Sequence, residues 1–349
     1  MGNLRRPCGV ADLSQHSVDR RSALKTGLAF GLGLAAPSII GLREAAAATI
    51  LRFGSDSPLK APHTVSATTF KSEVEKRTEG RVHVAIFPDA QLGSNEVMTN
   101  SVKAGTLDAV VTDVANVSAA VPPAEVFSLP FLFKDTPHAI RAANGAVGAR
   151  LTDSIEKAYQ FNVLGWATDG ARNMWNSKRP IRTPDDLEGL KMRVQPSQIQ
   201  RDTYSAFGAL PTPISLSEVF TSLQSGVVDG ADFSPVDMMQ LKMYQVTKYL
   251  TLTRHFSIIG VMIVSQSLMS KLSAADQEIV RDASKTAAAA QVEAVLSAEQ
   301  QAVEDLKKKK IEVFDMEDPQ AFVSKVETVY QSNSDKIGTD LIEEARRTA

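Results

Sequence analysis

The segment over residues 179–235 alternates short helical and strand patterns, which few folds can accommodate. Thr183 before a proline predicts a helix start, because its side chain can accept a bond from an unpaired backbone N–H. Gly189 predicts the end of this helix, since glycine adopts the left-handed conformation easily. Residues 190–194 then alternate as a strand, with Arg193 on the face opposite the apolar side chains.

Further helix and strand signals follow in the same segment. The pattern predicts a helix over 199–207, an extended stretch over 211–214, a helix over 217–225 and a strand that starts at Val227. Ser215 and Glu218 have the spacing of a capping box for the second helix. Strands alternating with helices are typical of an α/β fold with a parallel sheet. Ligands of such sheets bind at the carboxyl ends of the strands, and Arg193 lies near one such end.

The composition is that of a soluble globular protein. The chain has 349 residues, 43% of them hydrophobic and 22% charged, and this length suggests about two domains. The formal net charge of −2 gives no indication of nucleic-acid binding. Cys8, the single cysteine, lies in the leader, so the rest of the chain cannot form a disulfide, a thiolate metal site or a cysteine nucleophile.

The first 48 residues have the three parts of an export signal. Arg20 and Arg21 begin a charged region, residues 26–42 form an apolar run, and alanines occupy 45–48. The paired arginines are similar to a twin-arginine signal. We predict cleavage after Ala48 and a periplasmic location, with an uncleaved membrane anchor as the alternative.

The rest of the mature chain continues the α/β pattern. Strands are predicted over 49–54, 81–87, 107–112, 162–168, 250–255, 258–265 and 311–314. Helices are predicted over 63–78, 94–104, 137–159 with interruptions near Gly145 and Gly148, 238–249, and 273–310, followed by two short ones. We expect a first lobe of 49–169 plus about 256–285 and a second of 170–255 plus about 286–349.

Four spaced blocks resemble one known family. They are residues 88–94, 170–173, 183–194 and 218–235, and they look like those of the DctP-like solute-binding proteins of tripartite ATP-independent periplasmic (TRAP) transporters. The resemblance covers essentially the whole mature chain. It implies a two-lobed periplasmic binding fold with a ligand cleft between the lobes and a long helix spanning both. It also implies delivery of the ligand to membrane subunits, and a monomer.

The resemblance also implies which residues bind the ligand. The family's carboxylate-binding arginine matches Arg193. The other matching positions are Arg172, the first-lobe residues Asp56, Asn95 and Asp113, the pocket-wall residue Leu216, and the adjacent pair Asp232 and Phe233.

Phe233 departs from the family pattern, because asparagine is common at its position. An amide that would bond to the carboxylate is replaced by an aromatic wall, which disfavours sialic-acid-type recognition and favours short organic acids. Asp232 stands where glutamate is usual, and the sequence leaves open a cation beside it. No cofactor is predicted.

Six of these site residues also have a structural alternative, which for Phe233 is a place in the core. Arg193 could form a structural ion pair, although its planar fork suits a carboxylate. Arg172 could fix the crossover between lobes. Asp113, Asp56 and Asn95 could cap helices or bind ligand hydroxyl or amine groups.

The residues therefore favour a periplasmic binding protein for a small organic acid. An exported hydrolase or lyase is the alternative, but the five histidines are scattered without metal spacing and no Gly-x-Ser-x-Gly motif occurs. A protein that presents its ligand to a sensor kinase would share the same fold. Crossovers near Asp169 and His255 are the expected hinges of lobe closure.

Overall fold

The computed structural model of the protein describes residues 48–348. Within this range the strands are β1 (Thr49–Gly54), β2 (Val82–Phe87), β3 (Ala109–Asp113), β4 (Phe161–Asn176), β5 (Lys191–Val194), β6 (Leu210–Pro213), β7 (Gly230–Phe233), β8 (Tyr249–Ser265) and β9 (Glu312–Asp315). Residues 1–47, which hold almost all of the predicted export signal and its twin arginines, lie outside it.

The α-helices of the described range follow the same order. They are α1 (Val65–Arg77), α2 (Asn95–Lys103), α3 (Thr136–Asn144), α4 (Ala146–Tyr159), α5 (Gln198–Ala206), α6 (Leu216–Gln224), α7 (Pro235–Gln240), α8 (Gln266–Met269), α9 (Ala274–Lys308), α10 (Pro319–Lys325), α11 (Glu327–Ile337) and α12 (Thr339–Arg347). None of them is long and apolar enough to cross a membrane.

All described strands belong to one mixed sheet with the order β2-β1-β3-β8-β4-β7-β5-β6, and β9 also pairs with β8. We call β2-β1-β3 the first wing and β7-β5-β6 the second wing. Neighbouring strands within each wing are parallel, as the sequence predicts. The long strands β4 and β8 join the wings and run antiparallel to each other. This is the two-lobed α/β fold that the sequence predicts.

The two long strands correct the sequence prediction. The predicted strand over 162–168 continues to Asn176, and the two predicted strands over 250–255 and 258–265 form one strand, β8. Gly170 adopts φ 89° inside β4, where the register shifts by one residue. An Asp-Gly sequence is typical of a turn. Here β4 stays paired with β8 on both sides of the bulge, so Asp169 and Gly170 bend the strand and do not end it.

Helix predictions fail where the backbone leaves the helical region. The predicted helix over 238–249 is wrong, because α7 ends at Gln240 and Lys242 has φ 55°.

Three further predictions differ from the structure. Three helices follow β9 where two were predicted, and β7 begins at Gly230, later than Val227. The side chain of Ser215 makes no capping bond to α6, so the predicted capping box is absent.

Other helix predictions are confirmed. The predicted interruption of 137–159 occurs at Gly145, where α3 ends and α4 begins, whereas Gly148 lies inside α4 and does not interrupt it. Ser273 accepts a bond from the Asp276 N–H and starts the 35-residue helix α9. This helix packs against α1 and β4 and further along against α7 and β9, so it contacts both the helix that follows β1 of the first wing and the helix that follows β7 of the second. The predicted lobe boundaries stay a prediction.

Candidate functional site

A cavity of about 340 Å³ opens where the two wings face each other. Its volume lies at the small end of the range for ligand pockets, which suits a small molecule. Seven of the eight predicted site residues line it: Asp56, Asn95, Asp113, Arg172, Arg193, Leu216 and Phe233. Asp232 is the exception and lies fully buried behind the wall. Contact of these residues with a ligand stays a prediction.

Arg193 is a buried cation without an ion pair among residues 48–348. It lies on β5, only 2% exposed, and its Nε donates to the Ile214 carbonyl at 2.8 Å. Its Nη1 is buried and has no hydrogen-bond partner in the part of the chain that the structure describes. Burial and the neighbouring charge of Arg172 lower the pKa of Arg193 to about 9, so it stays protonated at neutral pH. The site therefore holds a positive charge that the described residues leave unpaired.

The ring of Phe233 forms a wall for both arginines. The guanidinium carbon of Arg193 lies 4.9 Å from the ring centroid, and that of Arg172 lies 5.9 Å away. The negative face of an aromatic ring attracts such cations. Phe233 also packs on Trp175 with ring centroids 5.4 Å apart, which fixes its position. The aromatic wall predicted from the sequence therefore lies against the arginine pair.

Arg172 has close partners for its charge. It lies on β4, where its Nη1 donates to the backbone oxygen of Asp232 at 3.1 Å and to Oδ1 of the same residue at 3.3 Å. Its Nη2 lies 3.4 Å from Oδ2 of Asp113. Burial acts to lower the pKa of Arg172, but the two carboxylates outweigh it and the pKa is raised. Arg172 thus links β4 with β7 and β3.

Asp232 is held by its own network. Its Oδ2 lies 3.1 Å from Nε2 of His255, which also lies 3.1 Å from the hydroxyl of Tyr204. Burial acts to raise the pKa of Asp232, but Arg172 and His255 outweigh it, so the carboxylate is stabilised. Burial lowers the pKa of His255, which favours its neutral form. Among the described residues, no group of three or more metal-ligating side chains is arranged to hold an ion.

Asp113 serves the capping role that the sequence leaves open and also contacts two side chains of the cavity. Its Oδ1 accepts from the Ala115 N–H at 2.9 Å and so starts the short 3₁₀-helix Val114–Asn116. Its Oδ2 faces Arg172 and accepts from the side-chain amide of Gln195 at 3.2 Å. One carboxylate therefore connects the end of β3 to β4 and to the loop after β5.

A second charged cluster, which the sequence did not indicate, reaches the cavity wall through Asp169 and Asp237. His63 is buried, and its Nδ1 lies 2.8 Å from Asp169 while its Nε2 lies 2.7 Å from Asp237. At these distances a protonated His63 faces one carboxylate with each ring nitrogen, so both contacts are ion pairs. Burial acts to lower the pKa of His63, but the two carboxylates raise it well above its usual value. His63 therefore carries a charge that joins the start of α1 to β4 and α7.

Asp56 and Asn95 form the third polar group of the cavity. The Asn95 amide nitrogen donates to Oδ2 of Asp56 at 2.6 Å, and the Ser57 hydroxyl donates to Oδ1 at 3.2 Å. Within residues 48–348, no cation forms an ion pair with Asp56, and Oδ1 of Asn95 is buried without a partner. Burial and the nearby charge of Asp169 raise the pKa of Asp56 to about 6.

The missed residues carried weak sequence signals. His63 stands beside Pro62 at the start of a predicted helix, where a lone histidine suggests no particular role. Asp237 follows Ser234 by three residues and accepts from its hydroxyl at 2.9 Å, which is the spacing of a helix cap. Only the fold shows that these two residues and Asp169 meet.

Comparison with known proteins identifies the family. The model of the DctP family, bacterial extracellular solute-binding protein, family 7, matches residues 53–336. A solute-binding protein of Verminephrobacter eiseniae is 35% identical over 302 residues, which cover 86% of this chain and 90% of the relative.

Solved structures of similar proteins agree with this assignment. A TRAP periplasmic solute-binding protein from Polaromonas sp. JS666, bound to D-erythronate, has a TM-score of 0.83 and 36% identity, covering 86% of this chain and 99% of that one. Another from Chromohalobacter salexigens, with bound D-glucuronate, has a TM-score of 0.82 and 28% identity, covering 86% and 100%. The chain belongs to the DctP family of bacterial extracellular solute-binding proteins and is a DctP-like TRAP solute-binding protein.

Proposed function

We propose that this protein is the periplasmic subunit of a TRAP transporter that captures a small organic acid and delivers it to the membrane permease. The observation that carries the proposal is Arg193, a buried cation with a free Nη1 in the wall of the cavity. Family membership supports the same function. Capture of this kind needs no cofactor and no chemical step.

The physical reason lies in the surroundings of Arg193. A guanidinium taken out of water without an anion is unfavourable, and a ligand carboxylate would supply the missing charge. The planar fork of arginine matches a carboxylate with two parallel bonds, which the single ammonium of lysine cannot reproduce. Ligand binding should therefore stabilise the folded protein.

A thermal-shift screen of the chain from Thr49 onward tests this function. The panel would contain keto acids, hydroxy acids, dicarboxylates, aromatic acids and sugar acids. A ligand at 100 times its dissociation constant should add about 2.7 kcal/mol to the free energy of unfolding. Unfolding, dialysing and refolding the protein before the screen removes any ligand carried from the cell.

Variants at Arg193 separate binding from a structural role. Arg193→Ala should weaken the affinity for the best acid by about 2–5 kcal/mol, and Arg193→Lys should also bind more weakly. Wild-type affinity in both variants, or a panel without any binder, would contradict the proposed function.

Export and delivery form the second part of the proposal. The predicted twin-arginine signal, with cleavage after Ala48, would place the mature protein in the periplasm. Mass measurement of periplasmic protein should give a chain that begins at Thr49. Replacing Arg20 and Arg21 together by lysine should retain the protein in the cytoplasm, and unchanged export would contradict the twin-arginine route.

Lobe closure would accompany binding in this proposal. Both long strands are irregular at the expected hinges, since β4 shifts register around Asp169 and Arg254 in β8 has φ 44°. A ligand that contacts both wings would favour the closed form by its differential affinity. Small-angle scattering should show compaction on binding, and identical curves would contradict closure.

A further inference from the structure

The side chain of His63 connects the two wings without passing through the sheet. It lies in the 3₁₀-helix Pro62–Thr64, between β1 and α1. Its Nε2 lies 2.7 Å from Oδ1 of Asp237, which belongs to α7, the helix that directly follows β7. The sheet order places β3, β8 and β4 between β1 and β7. The contact therefore joins the first wing to the second by way of two side chains.

The other ring nitrogen of His63 faces the point where β4 bends. Nδ1 lies 2.8 Å from Oδ1 of Asp169, which stands at a register shift of β4. We expect a hinge of lobe closure at this point, because hinges use the few residues that can absorb a change of backbone angle. One buried ring thus lies between the expected hinge and α7 of the second wing.

Each of the two carboxylates is also held by a neighbour of its own. Oδ1 of Asp169 accepts from the side-chain amide of Gln291 on α9 at 2.7 Å. Oδ2 of Asp237 accepts from the hydroxyl of Ser234 at 2.9 Å, at the start of α7. Neither bond involves the segment between β1 and α1. It is therefore His63 that ties this segment to both acids.

Burial makes the contact of His63 with Asp237 sensitive to separation of the wings. The His63 side chain is only 6% exposed. The two carboxylates raise its pKa well above the usual value, so the ring is charged at neutral pH. Removing one partner from a buried charge is strongly unfavourable. Movement of α7 away from His63 would remove such a partner, so the contact favours the conformation in which the wings are close.

Resting on the proposed function, we propose that His63 is a positioning residue for ligand capture, which with Asp169 and Asp237 forms an ionic clasp that holds the wings closed over a bound acid. His63 is not among the residues that line the cavity, so it acts through the conformation of the protein. Apparent affinity scales with the population of the competent form. Loss of the clasp therefore weakens binding without removing a ligand contact.

The clasp should act on release more than on capture. An acid enters while the wings are open and the clasp is unmade, and it leaves only after the clasp breaks. Loss of the clasp should therefore raise the dissociation rate constant and leave the association rate constant unchanged or higher. A folding defect would instead lower the fraction of active protein and leave both rate constants as they are.

Stopped-flow kinetics at pH 7 with the tightest acid of the thermal-shift panel tests the clasp. His63→Gln should raise the dissociation rate constant at least about fivefold. His138→Gln is the matched control, because His138 is also buried and its Nε2 lies 3.0 Å from the carbonyl oxygen of Ala345, outside the cavity. The control should leave both rate constants unchanged.

Asp237→Asn distinguishes a clasp from long-range electrostatics. If the cluster acted only through its charge, removing a carboxylate near the cavity would favour an anion and slow its release. Loss of the clasp predicts the opposite, faster release. The double variant with His63→Gln should release the acid no faster than the faster single variant, because both changes break the same contact. Asparagine keeps the shape of the side chain, so this variant decides the question even where His63→Gln folds poorly.

The possible outcomes separate the clasp from the proposed function. An unchanged dissociation rate in His63→Gln, slower release from Asp237→Asn, or additive effects in the double variant would overturn the clasp and leave the proposed function standing. Equal acceleration in His138→Gln would also overturn it, since any lost buried contact would then have the same effect. Absence of binding to every acid of the panel would overturn the proposed function and the clasp together.

Discussion

The two cavity arginines lie on strands β4 and β5 in opposite electrostatic surroundings. Arg172 meets the carboxylates of Asp232 and Asp113, whereas Arg193 has a backbone carbonyl, an aromatic ring and a free Nη1. Both are buried, yet the pKa of Arg172 is raised while burial and its neighbour lower that of Arg193. One arginine therefore has its charge paired within the fold, whereas the other presents to the cavity a guanidinium that residues 48–348 leave without an ion pair and that we propose binds an anion from outside.

The largest expected effect is a loss of stability on removing the charge of Arg172, the arginine that has ion pairs. Arg172→Met keeps the side-chain length but leaves Asp232 buried with a reduced set of partners. Breaking a buried pair from one side destabilises by about 3–5 kcal/mol, and urea denaturation should show this loss. A free energy of unfolding within about 0.5 kcal/mol of wild type would contradict the structural role of Arg172.

The second paired cation, His63, sharpens the comparison through pH. In His63→Gln the ion pairs to Asp169 and Asp237 are lost, which should destabilise by about 1–3 kcal/mol at pH 6. Asp56 faces the same cluster. The folded pKa of His63 is raised, so its stabilisation is fully present below the unfolded pKa and is lost as pH rises through the folded pKa.

Urea denaturation of wild type and His63→Gln, from pH 6 upward through the raised pKa of His63, would measure this loss of stabilisation. The gap between wild type and His63→Gln should narrow on the alkaline side. The Asp237 carboxylate has a lowered pKa, so its own contribution is lost only at acidic pH and does not imitate this trend. A gap that widens as pH rises would contradict a charged His63.

A smaller effect is expected at the wall that the two arginines share. Phe233→Leu removes the aromatic face 4.9 Å from the Arg193 guanidinium while keeping an apolar side chain. Loss of one cation–π contact should weaken acid binding by about 0.5–2 kcal/mol. Calorimetry of the best acid measures it, and wild-type affinity would show that Phe233 only fills space.

The smallest change in stability is expected for Arg193→Met, which makes the same substitution as Arg172→Met at the other arginine. It removes a buried charge that has no ion pair among residues 48–348, so the ligand-free protein should be within about 1 kcal/mol of wild type or more stable. A loss as large as that of Arg172→Met would contradict the contrast between the two arginines.

Local sequence rules predicted several helix ends and short strands well. The cap at Ser273, the stop at Gly189 and the strand around Arg193 depend on neighbours within a few residues, and the structure confirms all three. The resemblance to a family added the positions that line the cavity. Their contact with a ligand stays a prediction.

The extent of β4 and the charged cluster around His63, which the sequence did not predict, depend on partners distant in the chain. Strand β4 continues past Gly170 because β8, some 90 residues later, pairs along its whole length. The His63 cluster joins three elements from separate parts of the chain. No local pattern distinguishes these residues from an ordinary helix start or a turn, so only the fold reveals them.

Binding of the ligand carboxylate by Arg193 is the central proposal for this protein. The decisive measurement is a calorimetric cycle with the best acid and its carboxamide, titrated into wild type and Arg193→Met. Wild type should prefer the acid by about 2–5 kcal/mol, and the preference should nearly vanish in the variant. An acid preference that persists undiminished in Arg193→Met would show that another group binds the carboxylate and would contradict the account.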